Sequence, residues 1–374
     1  MNRKTKLLVI GAVPPPFHGV TVFTRDLLES HLASDFEIVH LDTSDHRTID
    51  NIARVDITNV AIALKNLFRL SIMLLKEKPR IVYLPISVAF MPYIRDGSFI
   101  ILAKMLSNAR IVVHLHGGSY FRDGFLDRSN WLVHFFVKET LRLADVAVVL
   151  SPSLAWMFHG LIARVEVVPN GTRFDPCGKS DNRTTETREG VTIGFLGNLM
   201  KAKGFLDLLR GAATVVRLHP DARFVLAGPW WEQEPDNQRL AREMIDEYEL
   251  GKHVSFLGEV SDEEKGAFFQ QLDLFVFPSR SEGMPIVILE AMAAGCPVIS
   301  TRKVGAISDV VQDGETGLLI DKGDHVQLAS AINRLVADAS LRTSMGAAGR
   351  RRFEKEYTWE RCMQRLGDVF RNVT

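Results

Sequence analysis

Short runs of β-branched and aliphatic residues alternate with longer stretches of helical period along this 374-residue chain. Such alternation fits parallel βαβ units, because two parallel strands can be joined only by a crossover of a dozen or more residues. Strands are expected over 6–11, 37–41, 80–84, 110–115, 146–150 and 165–168, with helices near 19–33, 59–78, 97–107 and 131–143. From 169 to 190 the composition turns to Asn, Gly, Thr, Ser and charge, and the alternation then restarts. Further strands are expected over 191–196, 223–227, 254–257, 274–277 and 298–300, with helices near 204–217, 237–249, 262–272 and 285–294. Beyond Gly323 the pattern is helical, over 328–337, 341–356 and 358–370. The expected fold class is α/β, with two Rossmann-like doubly wound domains over 1–170 and 191–357. A linker over 171–190 separates them, and the last helix, about 358–374, packs back on the first domain.

Charge and cysteine usage narrow the function classes. The 45 Lys+Arg balance 45 Asp+Glu, which argues against a dedicated nucleic-acid binder. That zero conceals a first half (1–175) at +4 and a second at −4. Cys177, Cys296 and Cys362 lie far apart without CxxC spacing, which fits a reducing, cytoplasmic setting better than a disulfide framework. The apolar run after the basic start ends at Pro14-Pro15-Pro16, so it reads as a first strand. No stretch is long and apolar enough for a transmembrane span.

The densest chemical signal is Phe277-Pro278-Ser279-Arg280-Ser281-Glu282-Gly283-Met284-Pro285-Ile286, continuing through Glu290 to Ile299. A strand leads through a glycine turn into a helix, with Pro285 near the first helical position, where its missing N–H costs nothing. Unpaired N–H groups and the helix dipole make such a turn an anion site. Glu282 and Glu290 are hydroxyl acceptors, so a polyol beside the anion suits them; helix capping with a solvated Glu290 is the plainer alternative. Three strands also end in glycine (Gly197, Gly228, Gly258), which would let backbone approach a ligand beyond their carboxyl ends.

Residues 277–299 resemble the Glu-x7-Glu signature of retaining GT-B glycosyltransferases, in particular glycosyltransferase family 4 (glycosyl transferases group 1) of the bacterial polysaccharide and glycolipid type. Val168-Pro169-Asn170-Gly171, Gly194-Phe195-Leu196-Gly197-Asn198 with Lys203-Gly204, Phe256-Leu257-Gly258-Glu259-Val260 and Thr316-Gly317-Leu318-Leu319 resemble further motifs of that family, the last as a turn. The resemblance implies an acceptor-binding first domain and a donor-binding second domain, facing across a cleft. It implies that Lys203 neutralises a donor diphosphate, Glu290 holds the ribose and Glu282 contacts sugar hydroxyls. Backbone around Gly283, Met284, Pro285 and Ile286 would meet sugar and phosphate, with Gly258 near the base. Asn198 stands where the family usually has Arg, and Lys201 is expected to supply the missing charge.

In the first half, the loop after the first strand resembles the family's diphosphate-facing glycine loop, and only Gly19 maps onto it. His114-Leu115-His116 ends another strand. Alternation of faces is expected to let only one of the two histidines reach the cleft, and the resemblance favours His116, near the reaction centre. No third ligand accompanies the pair and no Asp-x-Asp is present, so no metal is expected. The expected activity is a metal-independent, retaining hexosyltransferase using a UDP- or GDP-linked sugar, with no further cofactor. Two alternatives stay open: a nucleotide-sugar epimerase or hydrolase, and a silent sugar-nucleotide-binding partner. The expected acceptor is a hydroxyl, in lipid-linked form for many relatives of this kind.

Residues 59–80 carry five Lys+Arg against one Glu, with Lys65, Arg69 and Lys76 on one stripe. A buried helix with a solvated stripe and a peripheral helix on the inner membrane surface both fit that pattern.

Overall fold

The computed structural model describes residues 4–15, 19–44, 57–176 and 190–373, with backbone only over 57–60. It divides into two compact units, Met1–Pro169 with Cys362–Thr374, and Asn170–Arg361. Cys177 and the centre of the expected linker lie outside the described residues.

The first unit runs β1 (Thr5–Gly11), α1 (Gly19–Leu28), α2 (Leu32–Asp35), β2 (Phe36–Asp42), α3 (Ile57–Glu77), β3 (Ile81–Pro85), α4 (Phe90–Leu106), β4 (Arg110–His114), α5 (Trp131–Leu141), β5 (Val146–Val149) and β6 (Val165–Val167). All its pairings are parallel, in the order β2-β1-β3-β4-β5-β6, and Leu7 sits between Ile38 and Ile81. Leu7, Val9, Val82, Ile111, Val113 and Val148 are fully buried, as expected for strands covered on both faces.

The second unit runs β7 (Thr192–Leu196), α6 (Phe205–Leu218), β8 (Arg223–Ala227), α7 (Asn237–Glu247), β9 (Val254–Gly258), α8 (Lys265–Gln270), β10 (Leu274–Phe277), α9 (Ile286–Ala293), β11 (Val298–Thr301), α10 (Ile307–Val310), β12 (Gly317–Ile320), α11 (His325–Ala337) and α12 (Ala339–Glu356). Its six strands are also parallel, in the order β12-β11-β10-β7-β8-β9. The winding direction reverses between β7 and β10, so their carboxyl ends splay apart at a topological switch point. Ligands of open α/β sheets bind at such points.

Helix α13 (Trp359–Val373) closes the chain, and its end is built into the first unit. There Phe370 packs edge-on against Phe36 and Tyr83, and Arg371 pairs with Asp35 at 2.8 Å.

Several elements differ from the sequence pattern, these three among them. The helix expected over 97–107 begins at Phe90, because Pro92 falls in its first turn, where no N–H is needed. The helix expected over 19–33 breaks into α1 and α2 where the Ser30 hydroxyl donates to the Leu27 carbonyl at 2.6 Å. The expected turn at Thr316–Leu319 is instead the start of edge strand β12, paired with β11 from Val298↔Gly317 onward.

Candidate functional site

Two loops meet at the switch point of the second unit. One leaves β7 through Gly197 and Asn198 into a 3-10 turn, Lys201–Lys203, then Gly204 opens α6. The other leaves β10 through Pro278 to Pro285 into α9. Gly204 has φ +79°, and a Cβ there would lie 2.0 Å from the Pro278 carbonyl oxygen, so only glycine lets the loops touch. The Arg280 N–H donates to the Ala202 carbonyl at 2.8 Å. The Arg280 guanidinium grips the buried Asp207 of α6 through Nε and Nη2, each at 2.9 Å. A two-bond fork of this kind fixes orientation as well as distance.

That clamp sets Lys203 against Glu282. Lys203 Nζ donates to Glu282 Oε1 at 2.7 Å, and the Ser279 hydroxyl donates to the same oxygen at 2.6 Å. Glu282 Oε2 makes no hydrogen bond to another described residue. An ammonium has three donors, so two of Lys203 remain for an anion. Glu282 thus aims the lysine and still offers one oxygen to a hydroxyl.

The loop ahead of α9 carries the anion-binding character. Its carbonyls are engaged from outside: the Asn170 side chain donates to the Met284 carbonyl at 3.1 Å, and the Ala306 N–H to the Gly283 carbonyl at 2.7 Å. The N–H groups of Gly283, Met284, Ile286 and Val287 make no bond to other described residues. Pro285 occupies the N-cap and contributes no N–H. A row of unpaired donors at a helix start, without competing carbonyls, attracts negative charge.

Glu290, on α9, is buried rather than solvated, which corrects the capping alternative. Its Oε1 accepts from Lys265 Nζ at 2.9 Å, and Lys265 also pairs with Asp262 at 2.9 Å. Burial pushes the Glu290 carboxyl above its ordinary range, with Lys265 opposing. Burial alone would depress Lys265, but the two carboxylates outweigh it and hold the ammonium high. Glu290 Oε2 is buried with no hydrogen-bond partner among the described residues. A buried acceptor left open costs about 1–3 kcal/mol until a donor arrives, so a ligand hydroxyl fits there.

Asn198 follows Gly197, and its carbonyl accepts the Met200 N–H at 2.8 Å. Lys201 is exposed and donates its N–H to Glu234 Oε2 at 2.9 Å, which holds that carboxyl below its ordinary range. Glu234 lies between β8 and α7, and the Asn237 side chain donates both to it and to the Leu199 carbonyl. The strand-ending glycines serve each other: a Cβ at Gly228 would lie 2.1 Å from the Gly197 carbonyl oxygen. Gly258 accepts the Gly228 N–H at 2.6 Å.

His116 and Gly19 belong to the first unit. Gly19 begins α1, and a Cβ there would meet nothing within 4 Å. His114 and His116 have ring centroids 3.9 Å apart, and both meet the Phe23 ring edge-on. Alternation therefore does not separate them, since residues two apart on a strand share a face. His114 is fully buried, with Nδ1 2.7 Å from the Tyr83 hydroxyl. Burial, then the neighbouring His116, hold its pKa well below the usual range.

Sequence reasoning missed Lys265, Ser279, Tyr83 and the Asp207–Arg280 clamp. Among the described residues no cluster of three or more His, Cys, Asp or Glu could hold a metal ion.

Two six-stranded parallel sheets, each flanked by helices, define the GT-B class of fold. Sucrose-phosphate synthase from Thermosynechococcus elongatus superposes with a TM-score of 0.77 at 20% identity, over 98% of this chain and 99% of that one. HepE of Anabaena, solved with UDP, gives 0.72 at 17%, over 98% and 100%. Residues 179–352 match the family described as Glycosyl transferases group 1. D-inositol 3-phosphate glycosyltransferase of Corynebacterium urealyticum is 30% identical over 221 residues, covering 56% of this chain and 52% of that protein. The chain spans about half the length of the curated relatives it matches.

Proposed function

We propose that the chain is a retaining glycosyltransferase that moves a sugar from a nucleoside-diphosphate sugar to a hydroxyl acceptor. The observation that carries this is Lys203, held by Glu282, beside the unpaired N–H groups of Gly283, Met284, Ile286 and Val287. The diphosphate leaving group gains negative charge as its bond to the sugar breaks, and donors already aimed at it lower the barrier without reorganising. In this reading the second unit binds the donor. Lys203, assisted by Lys201 near the neutral Asn198, meets the diphosphate. Glu290 Oε2 takes a ribose hydroxyl, Glu282 Oε2 a sugar hydroxyl, and the Gly258 turn lies by the base. Fixed cations and N–H groups supply the neutralisation, so the transfer is assigned as metal-independent. The first unit takes the acceptor, with Gly19 and His116 near the reacting groups.

The UDP complex of HepE supports a UDP-linked donor, and a relative from Corynebacterium glutamicum named as GDP-mannose-dependent supports a GDP-linked one. Relatives named as a phosphatidyl-myo-inositol mannosyltransferase of Mycobacterium leprae and a capsular polysaccharide biosynthesis glycosyltransferase of Staphylococcus aureus support an acceptor in glycolipid or polysaccharide synthesis. No described helix is long and apolar enough to cross a membrane, and the cysteine usage supports a cytoplasmic site of action, on the inner membrane surface for a lipid-linked acceptor. Nucleotide release from a panel of UDP- and GDP-sugars, with chelator and with and without acceptor, tests the reading. Acceptor-dependent release that survives chelator, with the anomeric configuration kept in the product by NMR, is expected. Acceptor-independent release would make the chain a hydrolase, and no release would make it a silent binder.

A further inference from the structure

Sixteen large apolar side chains stand exposed among the described residues, and most of them lie on one layer of the first unit. Helices α3, α4 and α5 are successive crossovers wound in one direction, so they cover one face of the sheet, with α4 packed between the other two. On α3, Leu64, Phe68, Ile72 and Leu75 follow the helical spacing of a single outward stripe, opposite the buried Asn66, Leu70 and Leu74. Phe68 is 68% exposed. On α5, Trp131 (74% exposed), Leu132 and Phe135 form a second outward cluster.

The basic residues of α3 lie one step along from this stripe. Lys65 follows Leu64, Arg69 follows Phe68 and Lys76 follows Leu75, so a cationic line runs beside the apolar one. The helix has one acid, Glu77, and Lys6 takes it at 2.9 Å. Among the described residues Arg69 meets the Asp42 carbonyl and no carboxylate. An apolar stripe with a cationic flank and tryptophan on a neighbouring helix is the composition of a helix lying in a bilayer interface. Large apolar patches are rare on monomeric proteins and mark interaction surfaces.

We infer that the outer face of the α3–α4–α5 layer docks on an anionic lipid surface, with α3 lying in the plane of the headgroups and Trp131 as a second anchor. A second copy of the chain fits less well, because two-fold pairing of α3 would bring its cationic lines together, and the helix's one acid, Glu77, is already held by Lys6. The inference does not depend on the chemistry of the second unit, and its readout is binding without turnover.

Sedimentation of the full chain with vesicles of phosphatidylcholine, and of phosphatidylcholine mixed with phosphatidylglycerol, tests it. Binding to the anionic vesicles is expected. It should fall at least about tenfold in the Lys65→Glu/Arg69→Glu/Lys76→Glu variant and comparably in Phe68→Ser/Ile72→Ser. Trp131→Ser, far from α3 in sequence, guards against an effect confined to one helix, and thermal melts show whether each variant is folded. Equal binding by folded variants and wild type would overturn the inference. So would no vesicle binding together with a concentration-dependent dimer that Phe68→Ser/Ile72→Ser abolishes.

Discussion

Lys203 and Glu282 are 79 residues apart in the chain, yet they form one unit of charge at 2.7 Å. Each residue type was legible from its motif; their pairing was not, because it depends on two loops meeting through Gly204 and Arg280. Lys203→Ala should lower kcat by about 10²–10³-fold, or about 2.7–4 kcal/mol of barrier, in a nucleotide-release assay. Unchanged turnover would remove Lys203 from the chemistry. Glu290 shows the same limit. Its position was readable, but Lys265 sits on a short helix with nothing to set it apart from a solvated lysine. Breaking a buried ion pair typically costs about 3–5 kcal/mol, and Lys265→Met should approach that near neutral pH. Burial raises the folded-state pKa of Glu290. In the variant the carboxyl therefore binds its proton more tightly when folded than when unfolded. The variant's deficit should be smallest below the ordinary pKa of 4.5 and should grow as pH rises through the folded-state value. Urea unfolding across that range, against wild type, checks the sign.

Periodicity made most elements legible, because strands buried on both faces must be apolar throughout and their crossover helices must carry an apolar stripe. Edge strand β12 and the start of α4 were harder to read, since a glycine and a proline there mimic turn signals. The two histidines at the end of β4 were visible in sequence, but the Tyr83 hydroxyl that holds His114 comes from β3, across the sheet. His114 is buried and its pKa depressed. Below the ordinary value of 6.5 the unfolded chain takes up a proton that the folded chain refuses. Stability should therefore decline as pH falls below that point, by about 1.4 kcal/mol per pH unit for this group. A folded His114→Gln variant should show a shallower decline in urea unfolding; an identical slope would assign the acid sensitivity elsewhere.

At the scale of the whole molecule, the balanced charge resolves into local features. An outward cationic line on α3 marks the first unit. In the proposed reading the acidic second unit concentrates anion binding in Lys203 and the N–H groups before α9. Both sheets are parallel and reverse their winding, and the reversal between β7 and β10 brings the decisive loops together. The restart of the strand–helix pattern after residue 190 made two such sheets legible; strand order, and with it the switch point, was not, because a strand's sequence does not say which neighbour it pairs with. The central claim is that this switch point holds a nucleoside diphosphate through fixed cations and backbone donors. Calorimetric titration of UDP and of GDP, in chelator, into wild type and Lys203→Ala tests it most directly. Binding of one nucleotide that weakens at least about tenfold in the variant is the predicted result. Binding of neither, or equal binding by both proteins, would contradict it.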